Sequence, residues 1–204
     1  MLSHTDIINI ALAKINIDPI VSISPPVDGT EDTRTPTEQQ IARIYDLQRK
    51  EVLTECPWTF AIKKVAFSGL TSIKASDGRV YYERPADFVD NMHPKPESVL
   101  GCVDTYYGYF YYFDFTYNYD GYWYYIFDNM NSAFYSPIFV HILTIRLAGE
   151  LAVLLTKNIQ LKQLYDAEYD KQKNIAVGKN NAGNPFKILN REDFSTLHGG
   201  VRTY

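Results

Sequence analysis

Apolar residues recur at helical spacing in four stretches of the chain, and a strand-like pattern separates the second from the third. Near the start, Ile8, Ala11, Leu12 and Ile15 follow a Ser3/Asp6 capping pair and stop at Asn16 and Asp18-Pro19, which predicts a helix over 3–16. A polar, proline-bearing loop follows (22–36). Thr37 and Gln40 then have the T-x-x-Q spacing of a capping box ahead of Ile41, Ile44, Tyr45, Val52 and Leu53, predicting a helix over 38–56 that Pro57 stops. Ser136-Pro137 pairs a cap with a first-position proline, and residues 137–156 are apolar nearly all round, as expected of a central helix. Asn158 opens a fourth helix over about 159–177, with Leu161, Leu164 and Tyr165 inward and Gly178 as its terminator. The short joint predicts that the last two helices run antiparallel.

Between these helices the period changes. Residues 58–62 and 65–67 are β-prone, and Asp77-Gly78 and Asp120-Gly121 are dipeptides suited to hairpin turns, the second flanked by Phe115-Thr116-Tyr117 and Tyr122-Trp123-Tyr124. On a strand Trp58 and Phe60 share a side, so both are expected in the core where helices meet sheet. After 178 the chain is rich in Asn and Gly, with isolated apolar residues Phe186, Ile188, Leu189, Phe194 and Leu197. The expected fold class is mainly α within α+β: a four-helix bundle (1–57 and 131–178), a β-rich, Tyr-rich insertion (58–130) and an extended C-terminal arm (179–204).

Charge and composition narrow the function classes. Twenty basic against 24 acidic residues give a net charge of −4, which disfavours phosphate neutralisation as a mode of action. Cys56 and Cys102 read as reduced thiols. Residues 1–20 carry Asp6, Lys14 and Asp18 and do not resemble a secretory signal, so folding in a cytoplasm is expected. His141, Arg146 and Glu150 interrupt the apolar stretch 138–155, which reads as a buried helix and not a membrane span, with His141 in a core or an interface. No histidine pair has zinc-ligand spacing, and no nucleophile elbow or phosphate loop is present. Asp87 and Asp90 read as solvated loop acids. No catalytic residue, cofactor or metal site is therefore expected.

Tyrosine, present 17 times, is concentrated between Tyr106 and Tyr125. Alternating rings on a strand would face both ways, leaving three readings open: a sheet packed on a neighbouring subunit, an intramolecular core, or a carbohydrate- or base-stacking surface. From Asp104 to Asp128 there is no basic residue, which lowers base stacking. Tyr119, Tyr122 and Trp123, with the five arm residues, are the expected partner-facing positions. A carbohydrate-binding module using the Tyr-rich sheet is the alternative function.

The order helix, loop, helix, Pro-Trp, β-rich insertion, helix, helix, arm resembles the tail tubular protein A family, the head-to-tail adaptors of short-tailed phages. The resemblance is carried by residues 10–15 and 19–23, by Tyr45, Arg49 and Glu51-Val52-Leu53, and by Cys56-Pro57-Trp58-Thr59-Phe60-Ala61. Tyr82, Pro85, Asp87 and Phe88 continue it, followed by Phe134, Pro137, Phe139, Leu147-Ala148 and Leu151-Ala152. Two departures stand out: Asn16 replaces a helix-ending glycine, and the Tyr-rich run is unusually aromatic. The resemblance implies a non-enzymatic virion protein made in the host cytoplasm. It would form a ring of twelve copies between a portal protein and a tail nozzle protein, with DNA passing through unbound during ejection and no membrane involved.

Overall fold

A computed structural model describes residues 2–23, 34–56, 58–76, 78–91, 102–106, 110–113 and 122–183, with backbone alone at 102–106, 110–113 and 180–183. The chain is mixed α and β and divides into two compact units. One comprises Met1–Cys56 with Asn129–Lys179, and the other is built on Pro57–Asp128.

Among the described residues the first unit holds four α-helices: α1 (His4–Lys14), α2 (Pro36–Thr54), α3 (Pro137–Leu151) and most of α4 (Ile159–Gly183). Ser3 caps α1, and its hydroxyl and amide exchange hydrogen bonds with Asp6 in a full capping box. The helix ends in a Schellman arrangement: the amide of Asn16 reaches the Ala13 carbonyl and that of Ile17 the Leu12 carbonyl. Asn16 takes the left-handed conformation (φ 57°) that a glycine would otherwise supply.

The cap of α2 lies two residues earlier than the sequence suggests. Thr35 and Glu38 form the box, with Pro36 at the first helical position, where its missing N–H costs nothing. Ser136 and Pro137 start α3 in the same way. Its buried side chains, among them Phe139, Ile142, Leu143, Ile145, Leu147 and Leu151, pack against both α1 and α2. The stretch Pro137–Thr156 is long and apolar enough to cross a membrane by length and composition alone, and just over half of it is buried inside the protein. The last turn, Ala152–Thr156, winds as a π-helix, and Lys157 leaves it with φ 57°.

Asn158 accepts from the Leu161 amide to open α4. This helix runs back along α3, Lys162 meeting Glu150 and Asp166 meeting Arg146. Gly178 does not end it: the helix continues to Gly183, because an isolated helical glycine costs only about 1 kcal/mol and no proline intervenes before Pro185. The segment expected to be an arm from 179 thus begins as helix. Leu164 points outward at 62% exposure, while Tyr169 and Ala176 are buried. Leu161 and Tyr165 are partly buried and continue that stripe, as expected, so of the three residues expected inward Leu164 alone is misplaced.

Among the described residues the second unit carries seven strands: β1 (Ile62–Ala66), β2 (Ser72–Lys74), β3 (Val80–Glu83), β4 (Phe88–Asn91), β5 (Cys102–Tyr106), β6 (Phe110–Phe113) and β7 (Tyr122–Phe127). All pairings are antiparallel, in two sheets ordered β1-β7-β4 and β2-β3-β6-β5. The β2–β3 turn contains Gly78 at φ 87°, a backbone state open to glycine, as the Asp77-Gly78 pair suggests. Residues 59–61 form a 3₁₀ turn and not a strand, so strand alternation does not place Trp58 and Phe60 together. Their rings nonetheless lie 6.1 Å apart, and Trp58 is 1% exposed. Phe67, Trp123 and Tyr125 form the core of this unit, flanked by Val65, Leu70, Tyr82, Phe88 and Phe127. The Phe67 and Tyr82 rings meet edge to face with centroids 4.8 Å apart, so Phe67, in the 3₁₀ turn after β1, links β3 of the second sheet to Trp123 and Tyr125 of the first.

Candidate partner-binding surfaces

Of the expected partner-facing residues, the structure describes Tyr122 and Trp123, and they separate. Successive strand side chains take opposite faces, so Tyr122 is 39% exposed and Trp123 is 1% exposed. Trp123 is a core side chain whose indole donates to Asn91 Oδ1 at 3.0 Å, which corrects its assignment to a contact surface. The ammonium of Lys64, from β1, lies 3.8 Å from the Tyr122 ring centroid and occupies one face on which a sugar would stack. Tyr119, the Asp120-Gly121 turn, Pro57, Phe186, Ile188, Leu189, Phe194 and Leu197 lie outside the described residues. The thiol of Cys102 does too, while Cys56 is buried.

Signature positions expected to be structural are bonded or buried. Ala61 is fully buried. The Pro85 carbonyl accepts from the Phe88 amide and turns the chain into β4. Asp87 is not a solvated loop acid. Its carboxylate takes Lys63 on one oxygen and the Tyr125 hydroxyl on the other, and its carbonyl accepts from the Asp128 amide. Partial burial opposes ionisation of Asp87, but the hydrogen bonds from Lys63 and Tyr125 outweigh it and hold its carboxyl below the usual carboxylate range. Burial, then the Asp87 contact, raises the Tyr125 hydroxyl well above an ordinary tyrosine.

In the helical unit, one polar lattice ties three helices. Arg146, on α3, donates to Gln48 at 2.8 Å and Glu51 at 2.9 Å on α2, and faces Asp166 on α4. Lys162 bridges Glu150 and Asp166. The Tyr169 hydroxyl donates to Glu55, and that of Tyr165 to the Lys14 carbonyl at 2.7 Å. Sequence periodicity signals this lattice only as charges inside an apolar helix. His141, expected in a core or an interface, is an exposed side chain on α3.

The start of α1 forms a second polar region. The His4 ring lies 5.3 Å from Tyr45 and stacks at 6.2 Å on Tyr135. Beside it Arg49, wholly buried, donates to Asp46 at 2.7 Å and to the Asn129 carbonyl at 3.3 Å. Burial, then the Arg49 charge, pushes the His4 pKa below its ordinary value. Arg49 lies four residues after Tyr45 and three before Val52, on the buried stripe of α2, and helical spacing is the signal of its burial in the sequence. A groove of about 730 Å³ opens here among α1, α2 and residues 130–132. No grouping of three or more His, Cys, Asp or Glu side chains suited to a metal occurs among the described residues.

No protein-family model matches the chain, and no curated protein matches it either.

Proposed function

We propose that the chain is the ring-forming subunit of a head-to-tail adaptor in a tailed-phage virion, with its four helices forming the bundle that neighbouring copies share. The ring of twelve would sit between portal and tail nozzle proteins and leave a passage for DNA. The observation that carries this reading is where the residues of the family resemblance fall. Arg49, Val52, Leu53, Cys56, Trp58, Ala61, Leu147, Ala148, Leu151 and Ala152 are buried, and Asp87 anchors a sheet. Burial at these positions fits a scaffold whose task is to present surfaces, and Ile10, Val21 and Phe134 of the same resemblance are exposed, where a neighbour could meet them. Exposed Ile159, Leu164 and Ile175 on α4 offer apolar contact area for a neighbour.

Electron microscopy of the purified protein, alone and mixed with portal rings, tests the reading. Rings that cap the portal are expected. A protein that remains monomeric at high concentration and leaves portal rings bare overturns it.

A further inference from the structure

The outward side of α4 carries a stripe whose order is the same from either end: apolar, charged, charged, apolar. Leu164, Glu168, Lys171 and Ile175 stand four, three and four residues apart. At about 100° per residue they fall within about 60° of one another around the helix. Leu164 is 62% and Ile175 44% exposed. Lys171 is exposed as well, and Glu168 is half-buried. Elsewhere on the helix the side chains are taken up within the chain: Tyr169 and Ala176 are buried, Lys162 meets Glu150 and Asp166, and Lys173 meets Glu55. Glu168 and Lys171 enter no ion pair among the described residues, with each other or with any third group. Two apolar side chains therefore face water with an unpaired acid and an unpaired base between them.

Measured along the axis from the midpoint of the stripe, between Tyr169 and Asp170, Leu164 and Ile175 each lie at roughly 8 Å and Glu168 and Lys171 each at about 2 Å. Turning the helix end for end sets Ile175 at the height of Leu164 and Lys171 at the height of Glu168. We propose that this stripe is a two-fold contact surface, and that its occupant is α4 of a second copy running antiparallel. Leu164 of each copy packs on Ile175 of the other, and Glu168 of each meets Lys171 of the other on either side of the axis. The charge pattern argues for this occupant over an unrelated protein. A patch of one sign calls for the opposite sign on a different surface, whereas an acid and a base placed symmetrically are complementary to their own reversed copy. The contact is closed: it holds two copies and does not propagate. It therefore goes beyond the ring reading, in which a ring would close through other surfaces of the chain.

Sedimentation equilibrium of the full chain tests it, with circular dichroism confirming the fold of each variant. Glu168→Lys and Lys171→Glu each set like charges face to face at both positions and are expected to weaken pairing by about tenfold or more. Two rescues distinguish this contact from any other use of the stripe. The double exchange Glu168→Lys/Lys171→Glu in one chain and an equimolar mixture of the two single variants both restore opposite charges at each position, and both are expected to pair like wild type. Single variants that pair as tightly as wild type overturn the proposal, and so does weakening without rescue, since the two charges then do not meet each other. A wild-type chain that stays monomeric at the highest attainable concentration overturns it too. Rings that persist unchanged in both single variants reject this contact and leave the ring reading standing. Should a charge reversal unfold the chain, Leu164→Ser and Ile175→Ser are read by the same measurement: weaker pairing in both supports the contact, and unchanged pairing in both rejects it.

Discussion

The Tyr125 hydroxyl donates to Asp87 Oδ1 at 2.9 Å, and this bond ties the loop entering β4 to the central strand of its sheet. Lys63 from β1 holds the other carboxylate oxygen, so one side chain connects all three strands. Tyr125→Phe is expected to cost about 0.5–1.5 kcal/mol, the usual net worth of such a bond. Asp87→Ala should cost roughly 1–2 kcal/mol, since the partly exposed ion pair adds little. Asp87 has a depressed folded-state pKa, so its contribution is complete above the unfolded carboxylate value and disappears as pH falls through the folded one. Urea melts at pH 7 and near pH 3 should show the wild-type advantage over Asp87→Asn shrinking on acidification. An advantage that stays constant would show that the carboxylate charge plays no part.

His4 titrates in a different window. Its folded-state pKa is lowered, so the unfolded chain binds the proton more readily. Stability is full above about pH 6.5 and declines as pH falls toward the folded value. Protonation places a second positive charge beside buried Arg49, with Asp46 as the near counter-charge and the Tyr45 and Tyr135 rings closing the site. Thermal melts between pH 7 and 5 should fall for the wild type and flatten for His4→Gln. Equal slopes would assign the decline to other groups.

Two glycines within helices should respond differently to substitution. Around Gly178 nothing approaches an added Cβ within 4 Å, so Gly178→Ala is expected to stabilise by about 0.5–1 kcal/mol. A Cβ at Gly149 would meet Tyr165 Cβ and Asp166 Oδ1 at 3.4 Å. Alanine just fits there, and its helix propensity offsets the tightness, whereas Gly149→Val should cost roughly 1–3 kcal/mol by pushing α4 away from α3. Denaturation midpoints of the three variants check the ordering.

Trp58→Ala is expected to lose about 3–5 kcal/mol, the range for truncating a buried aromatic, because Trp58 is almost fully buried beside Phe60. A loss well under about 1 kcal/mol in urea melts would mean that the indole is replaceable by solvent.

Helix starts were legible because their chemistry is local. Ser3/Asp6 and Ser136-Pro137 set caps within four residues, and those caps are present. The α2 cap was misplaced by two residues because Thr35 and Thr37 both begin a T-x-x-[E/Q] pattern, and only Pro36 distinguishes them. The fate of Trp123 could be reduced to one of two strand faces but not to which face is buried, since both carry aromatics. Asp87 looked solvated because Lys63 and Tyr125 are remote in sequence and arrive only when β1, β7 and β4 pair. The groove was invisible for the same reason: Arg34, Lys50 and Met130 share it only through tertiary folding.

The π-wound turn at Ala152–Thr156 acts as an angular spacer. Such a turn accommodates one residue more than the regular helix would, and one residue corresponds to about 100° of rotation about the axis. Removing a single residue there would let the turn rewind as ordinary α-helix and leave the exit at Lys157 nearly in place, whereas removing one from the regular part of α3 would swing that exit by about 100°. The stripe at Tyr165, Tyr169 and Ala176 would in that second case leave α3 from the wrong side, away from Gly149 and Arg146. The wide turn is therefore the one place in this helix where chain length can change without redirecting the helix that follows.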